Sequence, residues 1–553
     1  MSAEALAPNR VHDRPSAAGR SRAGGARLAH ASFLLCLMVA LVPLLVPVIP
    51  PVFDLPNHLA RIHVLAHWET EEIFRANFEI TSFLIPNVLA DVVLLQLMPL
   101  GGAETAGRIL LVLICVLTLS GAYVLNRAIG GRWSVWPVFV GALLYHEMFF
   151  WGFLNYMLGL GIMLWALAAW LLLEGRGRAL QLAAAVGFAL LIFFAHLVSF
   201  GLYAIAIAAI ELHRAWQHRR QGLAPVARRL AVSALPFVPP LAVFFTVSPS
   251  GGLPMDPKFD FSAWGKFSPF TRLLSSGNPA IDVATLAVVS GVVVLALATR
   301  RARLDARLGI VGGLFVVLVW MLPYSALGSF FLDSRVAIAA AFVFVAGLRP
   351  WPGRRHAEVA AAVVLVALVG ARSLVLVQDW RAQQREFDKV LAVLDRLPPG
   401  SMLAAAAGHH FELGDWTVTR RIKPAHEHTA LYATVRNTIL VPNIFAKRGQ
   451  NPLVFQPAVQ DVGWLSQNIV TRVFTEDDAR WLVDQALPVA RRIDTVSPAM
   501  PALYLIGYQI RCPDWPKDLP VARVHCEDGF SLVQVVPPRE PETSSIEAKE
   551  AWP

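Results

Sequence analysis

Asp54, His58 and Arg61 fall close together in the stretch Phe53-Asp54-Leu55-Pro56-Asn57-His58-Leu59-Ala60-Arg61. Pro56 suits the first turn of a helix, which sets Asp54 at or just before its N-terminus. His58 and Arg61 then stand at i and i+3 on one helix face, with Leu65 continuing the stripe. A carboxylate can take a proton as a general base, and a guanidinium can meet negative charge as it develops. Similar groups recur further along. Tyr145-His146-Glu147 is followed by Trp151 and Asn155, and His196 separates two apolar runs. Leu332-Asp333-Ser334-Arg335 comes shortly after Tyr324. Each alone also has a plain structural reading: a capped helix with a snorkelling Arg61, interfacial His146 and His196, and a local Asp333–Arg335 ion pair. Their shared position is what makes them a candidate site.

That position is set by apolar runs. Of the 553 residues, 56% are hydrophobic and 16% charged, with four cysteines. Soluble globular chains hold roughly 45–50% apolar and about 25% charged residues, so a soluble enzyme, a disordered chain and a disulfide scaffold are excluded. Spans of roughly 17–25 apolar residues are predicted at Ala31–Pro50, Arg108–Leu125, Ser134–Phe150, Leu154–Leu173, Ala179–Ala195 and Leu197–Leu212. More follow at Leu230–Val247, Ala284–Ala298, Leu308–Leu322, Val336–Val345 and Val359–Val377, making about 11. The first run follows a basic tail (1–30) and reads as a retained anchor rather than a signal peptide. Arginine clusters at 127–132, 176–178, 214–229, 300–307 and 349–355 are each separated by two spans. Cytoplasmic loops concentrate basic residues, so the N-terminus is expected inside, with 51–107 as the first outer loop. Ile85–Leu100 is apolar but interrupted by Asn87, Asp91 and Gln96, and is expected to lie in the outer interface or tuck under the loop.

The fold class expected is therefore a polytopic α-helical membrane protein, with a membrane domain over 31–378 and a C-terminal exported α/β domain over 379–537. An amphipathic helix is predicted near Gln383–Leu397, ended by Pro398-Pro399-Gly400. Leu403–Ala407, Leu503–Tyr508 and Ser531–Val536 read as strands and Asp477–Gln485 as helical. Cys512 and Cys526 fall in this domain, where an oxidising compartment would permit a bridge. Gly408-His409-His410 and His426-Glu427-His428 read as solvated loops. The Pro- and Glu-rich tail (538–553) reads as disordered.

An inside anchor, an acid in the first outer loop, an amphipathic juxtamembrane helix, about ten spans and an exported domain together resemble the GT-C superfamily of polyprenyl-phosphate-sugar-dependent glycosyltransferases. That superfamily includes the protein O-mannosyltransferases and lipid A aminoarabinose transferases. The resemblance covers Ala31–Val377 by plan and rests by motif on Asp54 and the helix Pro56–Trp68. It implies an inverting transferase of the bacterial-type inner (plasma) membrane, N-terminus cytoplasmic and C-terminal domain periplasmic. Its partners would be the bilayer, a polyprenyl-phosphate-linked sugar donor and an envelope acceptor. The sequence departs from better-known subfamilies in having a single Asp followed by Leu-Pro-Asn-His, where they have an acidic pair. Its Ile85-Pro86-Asn87 also lacks a basic residue that some families place there.

On this reading Asp54 is the general base of a single displacement at the anomeric carbon. General-base help is worth about 10²–10⁴-fold, so fixed cations at the leaving phosphate are needed as well. Arg61 and Arg335 are the candidates for that task, with His58 beside them. His146, Glu147, Asn155, His196 and Asp333 would line the substrate pocket. No cofactor is implied outright, and a divalent cation is left open, since only His63 and His67 share a ligand-like spacing. The competing reading is a transporter or assembly factor for lipid-linked or small polar substrates. The formal charge of +9 points to topology rather than nucleic acid: the tail and inner loops hold 21 arginines against three acids, leaving −9 for the rest.

Overall fold

The computed structural model describes residues 17–538, apart from 48, 218, 253–254, 327, 352–354, 409–424, 458–470, 474, 497–501 and 528. His409, His410 and the 539–553 part of the tail lie outside the described residues, as do the side chains of His426 and Glu427.

A helix rises 1.5 Å per residue, so about 20 residues cross a 30 Å hydrocarbon core. Eight described helices are long and apolar enough: Gly24–Leu45, Gly102–Gly130, Leu154–Leu172, Arg178–Ala195, Leu197–Gln217, Ala224–Thr246, Pro279–Ala298 and His356–Leu394. They account for eight of the eleven expected runs. The other three are shorter. Ser134–Phe150 is not one helix but a 3-10 segment, Trp136–Leu143, followed by the four-residue helix Glu147–Phe150. It lies within the bundle, where Gly141 lets the chain approach Cys36 so closely that a Cβ would meet Sγ at 2.5 Å. Ala306–Met321 and Leu332–Ala346 have 16 and 15 residues.

The arginine clusters gather at one end of the bundle. Strands Ala302–Leu304 and Leu348–Pro350 pair antiparallel, with Arg303 opposite Arg349. Asn126 donates to the carbonyls of Ala346 and Leu348 at 2.8 and 2.6 Å, and Arg132 meets Glu358 at 2.9 Å. A second knot joins the 174–178 and 214–229 segments through buried Glu211, to which Trp170 and Arg229 donate at 3.1 and 2.6 Å. Arg214 bonds both Glu211 and Glu174.

The segment 85–100 forms the helix Leu89–Leu97 and a 3-10 turn, far too short to cross. It is tucked against the bundle, with Ala90 N–H donating to Asn155 Oδ1 at 3.1 Å and Val88 N–H to the Phe194 carbonyl at 2.9 Å.

The helix expected at 383–397 is not separate. One 40-residue helix, Arg355–Leu394, runs unbroken from the last span into the C-terminal domain, because no glycine or proline interrupts it between the apolar and amphipathic parts. The domain holds a five-stranded mixed sheet. Its order is Val521–Glu527, Phe530–Val535, Leu503–Tyr508, Met402–Ala407 and Thr471–Arg472. Met402–Ala407 runs parallel to both its neighbours; the remaining pairings are antiparallel. The amphipathic helix Glu476–Val496 covers the sheet, with Leu482, Val483 and Ala486 buried. Cys512 and Cys526 form a disulfide. The domain is tied to the segment between the first two spans by strand pairing, Phe78–Ile80 with Leu453–Phe455.

Candidate active site

Asp54 is the N-cap residue of helix Leu55–His67, with Pro56 in the first turn as its sequence requires. Its side chain makes no capping hydrogen bond, so the carboxylate is not engaged by its own helix. The backbone is held from outside: Phe53 and Asp54 donate their N–H groups to the carbonyls of Phe150 and Trp151 at 2.8 and 3.1 Å. Gly152, at φ +80°, allows this approach, since a Cβ there would lie 2.8 Å from Asp54 N.

About two turns on, Arg61 is 1% exposed. It grips Asp91 with two hydrogen bonds, Nε to Oδ2 at 3.0 Å and Nη2 to Oδ1 at 2.7 Å. The same Nη2 donates to His58 Nδ1 at 2.9 Å. Burial works to raise the Asp91 carboxyl, but the Arg61 guanidinium and His58 hold it below the usual carboxylate range. Arg61, His58 and Asp91 therefore lock the helix Leu55–His67 to Leu89–Leu97, and the Arg61 charge is neutralised.

Arg335 is different. It is 4% exposed, in the first turn of Leu332–Ala346. Nη1 donates to Ser329 Oγ at 2.8 Å and meets His196 Nε2 at 3.1 Å, while Nε has no hydrogen-bond partner. Val198 N–H also donates to His196, at Nδ1. A neutral imidazole can accept at only one ring nitrogen, so its two donors cannot both be satisfied. The guanidinium lies 4.3 Å from the ring centre of Phe153 and 5.8 Å from that of Tyr156. Tyr156 in turn donates its hydroxyl to the Arg335 carbonyl. Asp54 and Asp333 are both within electrostatic reach of Arg335. Asp333 is no ion-pair partner, however, because its Oδ1 accepts instead from Ser334 N–H and Oγ. Among the described buried arginines, Arg61, Arg214 and Arg372 have a carboxylate at ion-pair distance; Arg335 has none.

The remaining expected residues hold the frame. His146 Nδ1 accepts from Phe149 N–H at 3.2 Å, capping Glu147–Phe150. Glu147 takes the Trp151 indole N–H at 3.1 Å and faces Arg272 at 3.4 Å. Arg272 also donates to Ser334 Oγ at 2.8 Å and stands over the Phe331 ring. Phe331 is in the left-handed region at φ +58°, an uncommon state for a bulky residue. Its ring packs beside Trp151 and Phe153.

Three participants are not assigned to the site by sequence alone. Arg272 lies outside the inner loops, as Arg61 and Arg335 do, and that was the available signal. Asp91 was visible only as an interruption, although an acid within an apolar run is itself a functional signal. His428, taken for part of a solvated loop, is buried beside Asp54 at 3.4 Å. Among the described residues no three His, Cys, Asp or Glu side chains converge.

A helical bundle with an acid at the start of the helix after its first span, and a sheet domain packed on that helix, is the architecture that positions the site. No family model and no curated protein sequence matches the chain. Among solved structures it is similar to ArnT from Cupriavidus metallidurans in the apo state, at 13% identity and a TM-score of 0.51, over 93% of this chain and 98% of that one. ArnT from the same organism bound to undecaprenyl phosphate matches at 14% identity and a TM-score of 0.43, over 92% and 97% of the two chains. The chain therefore has an ArnT-like fold: a polytopic helical membrane protein with a C-terminal domain.

Proposed function

We propose that the protein is a membrane glycosyltransferase that moves a sugar from a polyprenyl-phosphate donor to an acceptor on the outer side of the plasma membrane, with Asp54 as general base. The observation that carries this reading is Arg335, a buried guanidinium with an idle Nε and no carboxylate at ion-pair distance. Burying a charge without a counterion costs several kcal/mol, which a bound anion offsets. The leaving lipid phosphate is such an anion. The 151–153 turn links the two groups: the Trp151 carbonyl accepts from Asp54 N–H, and the Phe153 ring lies 4.3 Å from the Arg335 guanidinium.

In the proposed displacement, Asp54 removes the proton of an acceptor hydroxyl as its oxygen attacks the anomeric carbon. The bond from that carbon to the phosphate oxygen breaks, and the electron pair leaves with the lipid phosphate. Arg335 stabilises the charge that builds there, held in place by Ser329, Phe153 and Tyr156. Arg272, paired with Glu147 and bonded to Ser334, holds the turn before Arg335 in place. Arg61 and His58 keep the Asp54 helix in position, and Asn155 anchors the helix behind it. The gathering of arginine clusters at the opposite end supports a cytoplasmic N-terminus, and the Cys512–Cys526 bridge suits an oxidising periplasm.

Sugar transfer by the detergent-solubilised protein from a polyprenyl-phosphate donor tests the proposal. Asp54→Asn is expected to lower transfer by at least about 10²-fold with unchanged membrane insertion. Normal transfer in that variant, or counterflow in sealed liposomes with no product from the wild type, would overturn it.

A further inference from the structure

Among its described residues, the C-terminal domain brings His428 against Asp54. It belongs to the 3-10 segment Ala425–Leu431, which packs on helix Leu55–His67. Its ring sits between Phe53 and Phe445, with centroids 4.5 and 5.8 Å away. Nδ1 lies 3.4 Å from Asp54 Oδ1 and 3.1 Å from Asn57 Nδ2.

The hydrogen-bond pattern determines what Nδ1 can do. Phe445 N–H donates to Asn57 Oδ1 at 2.7 Å. That backbone donor fixes the amide, so the Asn57 NH₂ group must face His428. Nδ1 therefore accepts from Asn57, and the ring carries its proton on Nε2. An accepting Nδ1 gives nothing to an ionised Asp54 carboxylate. It does offer a lone pair to a protonated one.

We propose that His428 is a positioning residue that favours the protonated form of Asp54 during transfer. This rests on Asp54 being the base. When Asp54 takes the acceptor's proton, the new Oδ1–H turns toward Nδ1 and takes over its single lone pair from the Asn57 amide, a weaker donor. The proton stays on Asp54, no further bond is made or broken, and the acceptor oxygen goes to the sugar as above. Because the bond arises only as the proton arrives, it favours the transition state over the resting enzyme, which is the condition for raising kcat rather than lowering KM. The active site is then complete only when the C-terminal domain is docked.

Three variants of the full-length protein test this. His428→Phe keeps a flat ring between Phe53 and Phe445 but removes the acceptor, and is expected to lower kcat about 10–100-fold, a share of the general-base effect, with donor KM nearly unchanged. His428→Asn restores an acceptor near the Nδ1 position and should recover most of that loss. His428→Ala should lose at least as much kcat as His428→Phe and regain part of it when imidazole is added. Wild-type kcat in the Phe variant would overturn the proposal. So would equal losses in all three variants, with lowered thermal stability and no imidazole rescue, since that pattern marks a docking contact alone. An active Asp54→Asn protein would instead remove the base on which the proposal rests. An inactive Asp54→Asn protein beside a normal His428→Phe protein refutes only the role of His428.

Discussion

At the arginine-rich end of the bundle, Glu211 is fully buried, yet Arg214, Arg229 and Trp170 all donate to it. At the opposite end Arg335 is almost as deeply buried and meets only Ser329 and His196. Both ends place charge where water does not reach. The first balances it within the chain, as a structural knot must, because a buried ion without a counterion is strongly destabilising. The second leaves it unbalanced beside a carboxylate that its own helix does not cap. Arg61 shows how the distinction works: close to Asp54 in sequence, it belongs with the balanced group because Asp91 grips it. Charge balance, rather than proximity to the acid, separates the arginine that can wait for a phosphate from those that hold the protein together.

The comparison can be broken most sharply at Asp91. Asp91→Asn leaves Arg61 buried without its counterion and is expected to cost about 3–5 kcal/mol of stability, read as a lower unfolding midpoint in detergent. A midpoint at the wild-type value would mean that the pair does not hold the helix. Arg335→Gln is expected to behave in the opposite way. Transfer should fall by about 10²–10³-fold, or roughly 3–4 kcal/mol of transition-state stabilisation, while the unfolding midpoint stays level or rises. A parallel fall of both would place Arg335 among the structural arginines. Trp170→Phe removes one hydrogen bond to a buried carboxylate at the other end. It should cost about 2 kcal/mol of stability and leave kcat untouched; lost activity would show that the two ends are coupled.

The smallest expected effect is one of pH. Asp91 is held below the usual carboxylate range, so the unfolded chain takes up its proton at a higher pH than the folded protein does. The stability it contributes is complete above an unfolded value of about 4 and is lost as pH falls through the lower folded value. Wild-type stability should therefore drop below about pH 4, and the Asp91→Asn protein should lack that part of the decline.

Much of the fold is legible in residue order because hydrocarbon demands unbroken apolar helices of a fixed minimum length. Leu154–Leu172 and Pro279–Ala298 declare themselves that way. Ser134–Phe150 does not, because a buried irregular segment is as apolar as a span and only its neighbours decide its shape. The strands Met402–Ala407 and Leu503–Tyr508 are visible as short apolar runs, but nothing local says that they pair in parallel. In the site, Asp54 and Arg335 could be singled out by type and topology. Asp91 and His428 could not, since their meaning lies in contacts made across 30 and 371 residues.

The sequence alone determined that the protein lives in a membrane, which end of its helices carries the arginines, and that an acid opens the helix after the first span. Composition and charge asymmetry act on each segment separately, so they can be read segment by segment. The tertiary structure decided which arginine is free, which histidine faces the acid, and that the C-terminal domain closes over Asp54. Those properties depend on whether a buried charge finds a partner, and a partner distant in the chain exists only once the chain has folded.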